Sequence, residues 1–374
     1  MYDKILLLPY YLTLKIRNGS YDKGHRKQHR AEVPTICIGN VTAGGTGKTP
    51  HTEMILKMLL HCREWEQKNI AVLSRGYKRK SRGFQQVAAD GTATFYGDEP
   101  LQIKKKFPGV TVALDADRVE GCHLLCHPDK VRTSRKTRKC ANKNFPAADI
   151  IVLDDAFQHR SLKADVNIVL VDYNRPVFED HLLPFGSLRD LPERISDADI
   201  IIVTKCPYYL TDEEKEEWKN KVRLKYGQKL FFTRINYCQP VPVYPGICDT
   251  RYTYSKKMIL FTGIAKDTPL RMFLSDSYKL VEHFRFPDHH TFRKSDVAGL
   301  LSAVRRYPMA AVGTTEKDAQ RIIDCDVPHI LKERMFQIPI ETGFFSEEEE
   351  ASFRDTLFES LGRKAAQDNE APIQ

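Results

Sequence analysis

No stretch of this chain approaches the roughly 18–20 consecutive apolar residues that a helix needs to cross a bilayer, so no membrane-spanning helix is expected. Cysteines form no paired framework: there are nine, an odd number, scattered from Cys37 to Cys325, and they read as reduced thiols. Cys122, His123, Cys126 and His127 form the one local cluster. On a helix the two thiols share one face and the two imidazoles another, which fits zinc spacing poorly and favours an incidental grouping. The run Lys130–Lys143 holds seven Lys/Arg and no acid, and it lacks the aromatic interleaving that stacking on bases needs. It reads as a solvated loop, and no nucleic-acid partner is expected.

What is present is a chain of 374 residues, long enough for two domains, with 41% hydrophobic residues to supply their cores. The net charge of +9 favours an anionic partner: a nucleotide, a phosphorylated substrate or a phospholipid surface. Short apolar runs recur at Thr35–Ile38, Ile70–Leu73, Val110–Leu114, Ile150–Leu153, Val166–Val171 and Ile200–Val203. Most are rich in Val and Ile, the pattern of strands buried on both faces of a parallel sheet, and helical-length segments separate several of them. The fold expected is α/β: a mostly parallel sheet flanked by helices. Gln239–Gly246, with three prolines, reads as a linker to a second, smaller α/β domain with strands at Met258–Phe261, Ala310–Val312 and Met335–Ile340. The division expected is 1–25 for an N-terminal helix, 26–238 for a core domain, 239–345 for the smaller domain and 346–374 for a last helix, with Ser346 as its N-cap, that frays from Lys364.

The apolar stretch Ile5–Leu14 is followed by Lys15 and Arg17. It suits either a core-packed helix or one lying in a membrane interface, with Tyr10 and Tyr11 at headgroup depth.

The strongest local signal is NVTAGGTGKTP, Asn40–Pro50, directly after an apolar strand. Backbone N–H groups of such a loop wrap phosphate oxygens, and the following helix adds its positive end. Thr42, Ala43, Gly44, Gly45, Thr46, Gly47, Lys48 and Thr49 make up the phosphate-binding stretch. Thr42 stands where the consensus has its first glycine. Lys48 is placed for the β- and γ-phosphates and the Thr49 hydroxyl for Mg²⁺. In DIIVLDDAFQH, an apolar strand ends in Asp154 and Asp155, either of which could hold the metal. Thr204-Lys205-Cys206 resembles a guanine-reading corner, but Pro207 replaces the Asp such a corner needs, so ATP is the expected nucleotide.

Phosphoryl transfer also needs an acceptor for the incoming hydroxyl's proton. Asp98 and Glu99 in YGDEP could supply a base or a metal ligand, although the same residues suit a helix start. In FPDHH, His289 and His290 sit beside Asp288, an arrangement fit for proton transfer or for a plain turn. Arg75, Arg118 and Arg189 could clamp phosphates.

Taken in order, IGNVTAGGTGKTP, LSRGY, GDEP, LDDAFQH, LLPFGSLRD, FTGIA, FPDHH and TTEKDA resemble the tetraacyldisaccharide 4′-kinases of lipid A biosynthesis across residues 35–320. The resemblance implies a P-loop core with a smaller α/β domain and the active site between them. It implies transfer of the ATP γ-phosphoryl to the 4′-hydroxyl of a lipid A precursor disaccharide. The setting implied is monotopic, at the cytoplasmic face of the bacterial inner membrane, on an anionic surface. Asp98 would pair with His289 to deprotonate that hydroxyl, with Lys48 and Thr49 at the phosphates and Glu99, Asp154 and Asp155 in the metal region. Gln158, His159 and Arg189 would face the same cleft. Two departures stand out: Ala156 where the family often has Gly, and Phe185, Ser187 and Asp190 within LPFGSLRD. TTEKD carries no role that its residue types alone suggest.

Overall fold

The computed structural model describes residues 2–77, 79–131 and 144–370, with side chains from 7 to 362. Of the basic run, only Lys130 and Val131 lie within the described residues.

Helix α1 (Tyr2–Asp22) leads into strand β1 (Thr35–Gly39) and helix α2 (Lys48–Leu60). Then come β2 (Ile70–Ser74), β3 (Gln85–Gln86), α3 (Ala93–Tyr96), α4 (Asp98–Lys106), β4 (Thr111–Leu114) and α5 (Arg118–Cys126). β5 (Ile150–Asp154), β6 (Val166–Asp172), β7 (Ile200–Thr204), α6 (Asp212–Val222) and β8 (Lys229–Phe232) complete the first sheet and its cover. Its order is β3-β4-β2-β5-β1-β6-β7-β8, parallel throughout except for the short β3 at one edge. The central strands are buried on both faces, as their unbroken Val/Ile runs require.

Alternate residues of those strands feed two cores. One face contributes Cys37, Leu73, Leu153, Val169 and Val203, packed with Leu7 and Leu14 of α1 and with Trp218 of α6. The other contributes Ile36, Ile38, Val72, Val152 and Leu170, packed under α2 and α4.

Beyond β8 the chain crosses through β9 (Arg234–Tyr237) into a second sheet. That sheet is built from β10 (Val241–Pro242), β11 (Lys257–Thr262), β12 (Lys279–Arg285), β13 (Ala311–Thr315) and β14 (Met335–Ile338), in the order β10-β14-β13-β11-β12. α7 (Thr268–Ser275), α8 (Lys294–Arg306), α9 (Glu316–Ile322) and α10 (His329–Lys332) accompany it. β15 (Ile340–Gly343) returns antiparallel to β9, and α11 (Glu347–Glu370) ends the described chain.

Three sequence expectations need correction here. The proline-rich linker contains β10, paired with β14 at a sheet edge, where proline's missing N–H is tolerated. The strand expected over Met335–Ile340 is broken at Pro339 into β14 and β15, which join different sheets. The last helix is no separate segment. Phe353, Leu357 and Leu361, at four-residue spacing, are buried in the first domain's core, where each such side chain contributes roughly 1.5–3 kcal/mol. Ser346 does cap α11, accepting from the Glu349 N–H at 3.2 Å, but the helix runs on past Lys364 to Glu370. The second sheet thus lies in the chain between β9 and β15, which carry it out and back and pair antiparallel.

Candidate active site

The loop after β1 opens at the carboxyl edge of the sheet, where open α/β folds bind ligands. Gly44 and Gly47 hold left-handed backbone at φ 101° and 88°, which side-chain-bearing residues adopt at a cost. Asn40, not singled out from sequence, organises the loop: its amide donates to the Thr46 hydroxyl at 2.7 Å and to Thr42 at 3.2 Å. Its side-chain oxygen accepts from Lys48 at 3.4 Å and from Arg189 at 2.5 Å. Thr42, in place of the consensus glycine, is buried and forms a bridge to Leu188. Ala43 donates its N–H to the Ser187 carbonyl at 2.6 Å. The LLPFGSLRD segment is therefore a collar around the phosphate loop. On the other side, Lys205 donates to the Gly45 carbonyl and to Asp172 at 2.7 Å, and Thr204 donates to the Thr46 carbonyl at 2.9 Å. The corner that would read guanine braces the loop instead.

Thr49 is buried in the first turn of α2, and Pro50 is accommodated in that same turn, where no helical N–H bond is lost. The next residue, His51, is buried. One ring nitrogen lies 2.7 Å from the Gly47 carbonyl and the other 2.9 Å from the Thr233 hydroxyl, between β8 and β9. Burial pushes its pKa down to about 4, so it is neutral.

Asp154 ends β5, buried, accepting from Ser74 at 3.1 Å and from Thr52 at 3.4 Å. Burial, then the charges of Glu99 and Asp155, push its pKa up to about 6. Asp155 has left-handed backbone at φ 51° and turns to Lys48 (3.7 Å) and Arg189 (3.1 Å). Burial opposes its ionisation, but Lys48 and Arg189 prevail and its pKa falls. Lys48 is itself pushed down by burial, partly offset by Asp155. Ala156 is not among the left-handed residues, so the alanine needs no special backbone there. Gln158 donates to the Asn40 carbonyl at 2.5 Å, and Arg118 donates to the Asp155 carbonyl at 3.3 Å. His159 lies 3.9 Å from Asp117, and burial lowers its pKa. Arg75 stands exposed after β2.

The other half of the cleft comes from both domains. Asp98 and Glu99 do start α4, after Gly97 at φ 95°, so the helix-start reading holds together with their place in the site. Oδ2 of Asp98 lies 3.6 Å from Nδ1 of His289, which is held at φ 59° with its N–H on the Gly263 carbonyl. His290 points elsewhere: it bonds Asp296 at 2.8 Å and stacks on Phe286. Two residues that carried no role in the sequence complete this half. Arg321 donates to Asp98, and Lys317 to Glu99; both come from α9 of the smaller domain. Burial works against the Asp98 charge, but the His289 hydrogen bond, then Arg321 and Lys317, hold its pKa well below the usual carboxylate range. Lys317 likewise draws Glu99 down, and Glu99 in turn acts on Lys48 and Asp154, which places it between the two halves. TTEKDA thus has a physical role: Asp318 accepts the Gly263 N–H and pairs with Arg321, and the helix it opens reaches across to GDEP.

The N-terminal helix is docked on the same motifs. Asn18 donates to buried Asp190 at 2.9 Å, Arg17 to the Gln158 carbonyl at 2.7 Å and Tyr10 to the Arg189 carbonyl at 3.2 Å. Tyr10 and Tyr11 pack against the core, which corrects their expected place at headgroup depth. The exposed stripe is instead Leu8, Leu12 and Ile16. Among the described residues, no helix is long and apolar enough to cross a membrane.

A parallel sheet with a phosphate loop after its central strand, an acid at the end of the neighbouring strand and a cationic cleft defines a P-loop nucleotide-binding enzyme. The sequence profile of one family, tetraacyldisaccharide-1-P 4′-kinase (LpxK), matches residues 4–361, and the chain belongs to that family. Tetraacyldisaccharide 4′-kinase of Phocaeicola vulgatus is 36% identical over 341 residues, covering 90% of this chain and 88% of the relative. The enzyme of that name from Porphyromonas gingivalis is 36% identical over 362 residues, covering 95% of each. A crystal structure of LpxK from Aquifex aeolicus in complex with ATP superposes with a TM-score of 0.68 at 25% identity, covering 96% of this chain and 99% of that one.

Proposed function

We propose that this chain transfers the γ-phosphoryl group of ATP to the 4′-hydroxyl of a tetraacyldisaccharide 1-phosphate, a step of lipid A biosynthesis. The observation that carries the reading is the convergence of the phosphate loop and the Asp98–His289 pair on one cleft, in a chain of this family. Within Thr42–Thr49, backbone N–H groups other than those of Ala43 and Thr46, together with the Lys48 ammonium, receive the phosphates. Arg189, bonded to Asn40 and Asp155, adds a second cation to the side on which charge develops. The acceptor hydroxyl loses its proton to the Asp98–His289 pair as its oxygen bonds phosphorus and ADP leaves. Asp98, held ionised, orients the imidazole and stabilises it once protonated.

Asp154, buried at the end of β5 and bonded, among the described residues, only by the Ser74 and Thr52 hydroxyls, is the carboxylate with donor capacity left for a divalent cation; burial, then Glu99 and Asp155, push its pKa up to about 6. Mg²⁺ held there by Asp154, Glu99 and the Thr49 hydroxyl would neutralise charge on the phosphates. The stripe Leu8, Leu12 and Ile16, beside a net charge of +9, suits a helix resting on an anionic membrane. The proposed place is the cytoplasmic face of the inner membrane, with no nucleic-acid partner.

The test is incubation with Mg²⁺, γ-labelled ATP and the lipid A precursor disaccharide 1-phosphate in mild detergent, beside Lys48→Ala. Label is expected in the lipid fraction for the native protein, with a loss of at least ~100-fold in the variant. Nucleotide binding without label in lipid sinks the reading.

A further inference from the structure

α5 joins two places. Its first residue, Arg118, bonds the Asp155 carbonyl, while its far end, roughly 13 Å away at 1.5 Å per residue, carries His123 and, as its C-cap, His127. There the two imidazoles meet a carboxylate from a different part of the chain. Nδ1 of His123 lies 3.0 Å from Oε1 of Glu32, and Nε2 of His127 lies 2.7 Å from Oε2. All three ligand-capable atoms fall within 4.8 Å of one another. The thiols of the same stretch do not join them. Cys122 is buried in the core, and neither thiol is among the ligand-capable atoms that meet there.

We propose that Glu32, His123 and His127 form a site for a first-row divalent cation of the zinc class, separate from the phosphoryl-transfer cleft. Two imidazoles one helical turn apart and one carboxylate make a donor set that suits zinc and not magnesium. In a tetrahedral zinc site, with bonds of about 2.0–2.1 Å, neighbouring ligand atoms lie about 3.3 Å apart. The 3.0 and 2.7 Å contacts are close to that spacing, so a cation can replace the two ring protons with small side-chain shifts. Lys130 sits 3.2 Å from the remaining ring nitrogen of His123 and has to swing outward, which its exposed position allows. Occupancy ties the segment before β1 to α5, and so braces both elements that flank Asp155.

The experiment uses the full chain, stripped of metal and kept in excess Mg²⁺, titrated with Zn²⁺ by calorimetry and followed by zinc-edge X-ray absorption and thermal melting. The expected result is one saturable site of micromolar affinity or tighter, a spectrum of nitrogen and oxygen ligands including imidazole, and a rise in Tm. The double variant His123→Ala/His127→Ala should keep its fold and lose all three effects, while Cys126→Ser should keep them. Binding that survives in the histidine variant, a sulfur-rich spectrum, or no stoichiometric binding overturns the proposal.

Discussion

The Arg321 guanidinium donates to Asp98 and also approaches Nδ1 of His289 at 3.3 Å, so one arginine touches both members of the pair. Asp98 belongs to the first domain; Arg321 and His289 belong to the second. The Asp98–His289 pair therefore exists only while the two domains are apposed, and Arg321 is the fastener.

Removing that fastener should cost activity in a pH-dependent way. Arg321 is among the groups that hold the Asp98 pKa down, so Arg321→Gln raises it. A higher pKa means protonation at higher pH, and the acid limb of the kcat profile moves upward. A fall in kcat of roughly 10–100-fold at neutral pH is expected, with partial recovery in Arg321→Lys, which keeps the charge but not the fork. A profile whose acid limb stays in place would assign Arg321 to domain packing alone.

The two histidines of FPDHH should separate cleanly. His290 is tied to Asp296 and stacked on Phe286, so His290→Ala should lower Tm by a few degrees and leave kcat within a few-fold. His289 faces Asp98 and the open cleft, so His289→Ala should lower kcat about 10²–10⁴-fold with little change in Tm. Steady-state kinetics beside a melting curve decides it, and a reversed pattern refutes the assignment.

These assignments also mark what the sequence could reveal. The first sheet was legible because strands buried on both faces need continuous Val/Ile runs, and β1, β2, β4, β5, β6 and β7 all carry them. β12, with Lys279, Glu282 and Arg285 in a half-buried edge, and β8, two of whose four residues are not fully buried, send no such signal. The phosphate loop and the acids after β5 were legible because their chemistry dictates local spacing. Arg321 and Lys317 were not: they act on residues 223 and 218 positions away, and an arginine or lysine on a short helix looks like any surface charge. His51 was hidden for a related reason, since its second partner, Thr233, is 182 residues distant.

The apolar stripe of α1 gives a surface prediction. Leu8, Leu12 and Ile16 are 50%, 44% and 71% exposed, while Leu7, Leu14 and Asn18 hold the helix to the core. Leu8→Ser/Leu12→Ser/Ile16→Ser should therefore leave Tm and turnover of a detergent-dispersed acceptor nearly unchanged. Sedimentation with anionic phospholipid vesicles should fall at least several-fold, since each buried side chain is worth roughly 1.5–3 kcal/mol. Undiminished sedimentation would move the contact to another surface.

Asp154 should show that the site is maintained at a cost in stability. Its folded pKa, about 6, lies above the ordinary carboxylate value near 3.9, because burial and two neighbouring acids oppose its charge. Between about pH 4 and 6 the folded state therefore binds more protons at this site than the unfolded state does, and the stability it contributes falls as pH rises through that window. Above pH 6 the full penalty is present; below pH 4 it is absent. Asp154→Asn keeps the shape and removes the charge, so without nucleotide or metal its Tm should exceed that of the native protein by a few degrees at pH 7.5, and the gain should vanish near pH 4. Transfer activity should meanwhile fall by at least ~100-fold, because the metal-region carboxylate is gone. Thermal melts of both proteins across that pH range, in chelator, test the sign directly. A variant less stable than the native protein at pH 7.5 would mean that the hydrogen bonds from Ser74 and Thr52 outweigh the buried charge.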